Sequence, residues 1–144
     1  MAELLELSVV YDTKFMSMTY CENNKLLWGK WIGAIPSDIL RKEMLHTCDF
    51  LLEKKVELIL TDYSRLQPPN MSDQVWIAEN TTRRLINSAI RRIASIQSFD
   101  LIQQQVMDSI ITRSYKIDSI PWVVQNFISV EPAIHWLLTG EDIS

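Results

Sequence analysis

Residues 4–32 read LLELSVVYDTKFMSMTYCENNKLLWGKWI, and their pattern decides the fold. Segments 4–11 and 15–20 alternate and are rich in β-branched and aromatic residues, which suit a pleated, half-buried surface. Asp12-Thr13-Lys14 and Glu22-Asn23-Asn24-Lys25 are short polar breaks of hairpin type, and asparagine tolerates the left-handed turn conformation. Residues 26–32 form a third strand. Leu26, Trp28 and Ile32 point one way, and Leu27 and Trp31 the other, because strand side chains alternate. Apolar groups on both sides predict an interior strand covered on both faces for part of its length. The chain therefore opens with an antiparallel three-stranded meander.

Downstream, helices and strands alternate. Pro36-Ser37-Asp38 announces a helix with Leu40, Met44, Cys48 and Leu51 at helical spacing, closed by Lys54-Lys55. Residues 56–62 (VELILTD) predict a strand, and Ser64 to Met71 a loop broken by Pro68-Pro69. Ser72 is read as the N-cap of the next helix, with Val75, Ala78, Thr82, Leu85 and Ala89 inward. Residues 90–96 predict a strand; Ser98 or Asp100 then caps a helix striped by Ile102, Val106 and Ile110. Residues 122–128 are the last strand, and Ser129 caps a final helix with Ala133, Ile134, Leu137 and Leu138 inward, stopped by Gly140. The expected fold class is α/β (α+β), with a single mixed sheet whose later strands are joined by helical crossovers.

The chain has 144 residues, which predicts a single domain over 1–144. With 47% hydrophobic residues, it has enough apolar surface to offset ordering entropy, so general disorder is excluded. Only 3 glycines are present, and neither GxGxxG nor GxxxxGK[ST] occurs, so phosphate-cradling loops have no support. The net charge of −4 lacks the basic field that nucleic acid binding usually needs. Arg83, Arg84, Arg91 and Arg92 cluster in sequence, but no aromatics interleave them, and they read as a solvated face. No apolar run approaches the ~20 residues of a membrane span, and the N-terminus has no signal-peptide pattern, so a cytoplasmic location is expected.

Catalytic chemistry finds no constellation. His46 and His135 are isolated, Cys21 and Cys48 form no CxxC, and no GxSxG elbow exists. No catalytic residue, cofactor or metal is expected. Asp62 ends a buried-looking strand, where α/β proteins often place functional side chains; a plain strand-end role, accepting hydrogen bonds from Tyr63-Ser64-Arg65, explains it more simply. Tryptophan is abundant, with 5 in the chain, and aromatics line pockets and interface centres as well as cores. Trp76 lies off the main stripe of its helix, one turn after the proline loop, and suits a pocket or interface.

The element order and four short patterns resemble the STAS/SpoIIAA-like superfamily. These are Leu27-Trp28-Gly29-Lys30-Trp31, Leu58-Ile59-Leu60-Thr61-Asp62, Ser72-Asp73-Gln74-Val75-Trp76-Ile77 and Ala133-Ile134-His135-Trp136-Leu137. The resemblance spans about residues 9–138 and is greatest to the small stand-alone bacterial members of unassigned function. It implies a compact domain with helices mainly on one side of the sheet. It also implies a non-catalytic protein partner, and in some relatives a phosphorylated serine at a helix start or a bound lipid or other apolar ligand. The counterpart of the phosphorylation turn is Asn70-Met71-Ser72-Asp73, which keeps Ser72 but lacks the family's glycine and preceding aspartate.

Three functions follow as expectations. The first is a bacterial signalling domain that binds an unidentified protein through Asp62, Tyr63, Ser64, Arg65, Ser72 and Trp76; a homodimer is a separate expectation, for which the sequence identifies no interface. The second is a carrier of a small apolar ligand, with a cavity lined by some of Trp28, Trp31 and Trp76. The third is an enzyme centred on Asp62, Tyr63 and Arg65.

Overall fold

The computed structural model describes residues 2–98, 100–117 and 119–142. After a 3-10 turn, Ala2–Leu4, come β1 (Ser8–Asp12), β2 (Met16–Cys21) and β3 (Leu26–Gly33). Then follow α1 (Ser37–Glu53), β4 (Leu58–Leu66), α2 (Met71–Leu85) and β5 (Arg92–Ile96). The chain finishes with α3 (Leu101–Ile117), β6 (Val123–Phe127) and α4 (Val130–Thr139). The strands lie in one sheet in sequence order, antiparallel through β1, β2 and β3 and parallel from β3 to β6. The mixed α/β sheet that opens with a meander is therefore present as the sequence implies. Among the described residues, no helix is long and apolar enough to cross a membrane.

Strand alternation divides the interior into two cores. Leu27, Trp31 and Ile59 face a core completed by α1, α2 and α3. Leu26, Leu58, Leu60, Ala94 and Ile96 face the other core, which α4 covers with Ala133, Ile134, Trp136 and Leu137. Three helices thus pack on one face and one on the other. Arg92 secures α4 by donating from Nε and Nη2 to the Leu137 carbonyl at 3.0 and 2.7 Å, at the negative end of the helix. Arg91 pairs with Glu57 at 2.9 Å, so the arginines neighbouring in sequence do not act as one patch.

Several boundaries differ from the sequence reading. The left-handed residue of the second hairpin is Lys25, with φ 51°, not an asparagine. The β4 strand does not end at Asp62 but runs on to Leu66. Its pairing with β3 shifts register between Lys30 and Ile32, and the bulge absorbs the polar residues. The N-cap of α2 is Asn70, whose side chain accepts from the Asp73 N–H at 2.8 Å; Ser72 is the second helical residue. The same helix stops at Leu85, which leaves Ala89 exposed outside it. In α3 the buried residues are Gln103, Met107 and Ile110, while Ile102 faces solvent.

Gln103 explains the rotation of α3. Its side-chain amide donates to the carbonyls of Tyr63 and of Leu66, and its Oε1 accepts from Ser98. A buried carbonyl without a partner costs about 1–3 kcal/mol, so satisfying the end of β4 outweighs burying one more isoleucine.

Candidate functional site

The residues singled out by sequence divide between two places. Asp62 turns inward on its own strand: its Oδ1 accepts from the Ser64 N–H at 2.9 Å and from the Ser64 hydroxyl at 2.6 Å. Its carboxylate therefore serves the bulge, and Arg65 beside it is exposed. Ser72 and Trp76 lie with Arg41 at the start of α2. Arg41 pairs with buried Asp73 at 3.0 Å, donates to Ser72 Oγ at 3.3 Å, and lies 5.2 Å from the Trp76 ring centre. The Ser37 hydroxyl completes the cluster by donating to Asp73 at 2.5 Å. Such an arrangement locks α1 against α2 and explains Trp76 as a cation–π platform.

Tyr63 belongs elsewhere. It lines a cavity of about 170 Å³ between the sheet and the three helices α1, α2 and α3. The floor is laid by register. Ile59 pairs with Ile93, Thr61 with Ser95, and Ile93 with Val124, so these side chains share one face of adjacent strands. The walls come from Met44 and Cys48 of α1, Ile77 and Leu85 of α2, and Met107 and Ile110 of α3. Trp31 and Trp122 complete the lining, with Ile120 from the segment before β6. Trp28 faces the opposite core and Trp76 packs on Arg41, so neither lines this cavity.

The polar groups in the lining are neutral. No Asp, Glu, Lys, Arg or His side chain contributes to it among the described residues. Burial pushes the Cys48 thiol up to about 11; the Arg84 charge works against this and the Asp49 charge adds to it. Burial likewise raises Tyr63 above the ordinary phenol value, and a hydrogen bond with Thr61 works against it. Thr47, Thr81 and Ser114 donate to carbonyls one helical turn back, at 2.9, 2.6 and 3.0 Å. The Ser95 Oγ differs, being buried without a hydrogen-bond partner among the described residues.

The sequence reading included Trp31 and Tyr63 but missed Ser95, Thr61 and Trp122. A usable signal was present. Thr61 and Ser95 are hydroxyl residues interrupting two apolar strands, LILTD and RIASI, at positions that become cross-strand neighbours.

Comparison with protein-family models and with curated proteins gives no match. Among solved structures, the chain is similar to an uncharacterized protein from the DUF3478 family with a SpoIIAA-like fold, from Shewanella loihica PV-4. That match has a TM-score of 0.56, with 14% sequence identity over 91% of each chain. The fold is SpoIIAA-like. In this SpoIIAA-like domain the meander, the parallel half of the sheet and the helices on its faces reproduce the architecture that the four sequence patterns suggest. At such low identity the likeness concerns architecture alone.

Proposed function

We propose that this protein is a non-catalytic binding domain for a compact, apolar small molecule held between the sheet and α1, α2 and α3. The observation that carries this reading is the cavity of about 170 Å³ with a predominantly apolar, uncharged lining. An apolar occupant bound only by the folded form stabilises it by mass action. An engineered cavity of roughly 150 Å³ lined by Leu, Ile and Phe binds benzene, so the volume suits a single-ring molecule.

Trp31 and Trp122 in the lining provide the assay. Titration with toluene should change tryptophan fluorescence saturably, and Trp122→Phe should remove much of the change. A linear, unsaturable response to toluene in the intact protein defeats the reading.

A second reading is a regulatory domain that docks on a protein, including a second copy of itself. Leu101 and Ile102, 71% and 69% exposed at the start of α3, support it, as does exposed Ser72 beside Arg41. Sedimentation tests the homodimer form: a dimer lost in Leu101→Lys supports it, and a monomer at every concentration removes it.

A further inference from the structure

We infer that the molecule held in the cavity is uncharged and carries one hydrogen-bonding group, which meets the Ser95 hydroxyl, on an otherwise apolar frame. The inference rests on the small-molecule reading above. Its basis is a mismatch in the cavity floor. Ser95 is 2% exposed, lies at the centre of the parallel sheet between Thr61 and Asn126, and lines the cavity. Its Oγ has no hydrogen-bond partner among the described residues. The half-buried hydroxyl groups of Thr47, Thr81 and Ser114 on the helical walls reach carbonyls on their own helices.

A serine hydroxyl can both donate and accept, so an alcohol, phenol, carbonyl or amide would each satisfy it. A charged group would enter an apolar space without a counter-ion, which costs far more than one hydrogen bond returns. The chemical class is therefore a small neutral molecule with a single polar end, rather than a hydrocarbon or a carboxylate.

Phenol and toluene form a matched pair of probes, because they differ by a hydroxyl in place of a methyl. Their dissociation constants would be measured by calorimetry on the intact protein and on Ser95→Ala. This variant removes an unpartnered group and should fold normally, which its circular dichroism and melting temperature check. Both probes should bind the intact protein. In Ser95→Ala, the affinity of phenol relative to toluene should fall by about fivefold to tenfold, the worth of one neutral hydrogen bond. Toluene should bind the variant at least as well as before. An unchanged ratio, or a cavity that takes toluene but excludes phenol, overturns the polar handle and leaves the apolar binding site standing. Failure of both probes to bind the intact protein defeats the binding site and the handle together.

Discussion

Replacing Ser95 by valine should stabilise the protein. The site is the fourth residue of a five-residue strand with paired strands on both sides, where a β-branched residue is at home. Valine removes a buried hydroxyl without a partner, which relieves about 1–3 kcal/mol. It also places two methyl groups against the cavity, at about 0.8 kcal/mol per buried carbon. Local crowding returns about 1 kcal/mol. The net gain is about 2–3 kcal/mol, or about 6–9 °C in melting temperature for 144 residues. Urea unfolding at neutral pH, followed by tryptophan fluorescence, measures it directly, with the m-value reporting whether the denatured state has changed. A variant no more stable than the parent, with an unchanged m-value, would refute the reasoning, because Ser95 would then be paired or its surroundings already full.

Other expectations test the frame around the cavity. Arg41→Met leaves buried Asp73 with the Ser37 hydroxyl but no counter-ion, and should cost about 2 kcal/mol in urea; the loss is moderated because Arg41 is 35% exposed. Gly140→Ala should cost about 1 kcal/mol, since φ there is +75° and a Cβ would lie 3.3 Å from Arg92 Nη1; an unchanged melting temperature would count against the cap of α4. Cys48 should resist a water-soluble thiol reagent at neutral pH until the protein unfolds, because it is buried and its thiol is held protonated. The same raised value means that the folded form keeps its proton longer than the unfolded chain. The Cys48 contribution is therefore complete below about pH 9 and is lost as pH rises through about 11, at up to about 1.4 kcal/mol per pH unit. Cys48→Ala should flatten that part of the alkaline stability profile, and an identical slope in the variant would contradict the assignment.

Much of the architecture is legible in the chain because alternation and helical spacing act locally. Leu27 and Trp31 on one face and Leu26 on the other separate the two cores before any tertiary contact is known. The stripe of Leu40, Met44, Cys48 and Leu51 does the same for α1. The failures come where a tertiary demand overrides a local preference. Two capping residues, Asn70 and Ser72, lie two positions apart, and local sequence does not choose between them. Gln103 takes an inward position because the end of β4 needs donors, a requirement set by residues far away in sequence. The polar run after Asp62 resembles a loop, yet its Ser64 hydrogen bonds fold into a strand bulge. The cavity is the least legible feature. Its existence depends on how closely three helices approach the sheet, and Ser95 is unusual only once its missing partner is known.

The most direct test of the binding claim is a methyl NMR titration of the isotopically labelled protein with toluene. Saturable shifts concentrated on the methyl groups of Ile59, Ile93, Ile110 and Ile120, which line the cavity, are the predicted result. Shifts confined to the exposed Leu101 and Ile102, or none at all, would contradict it.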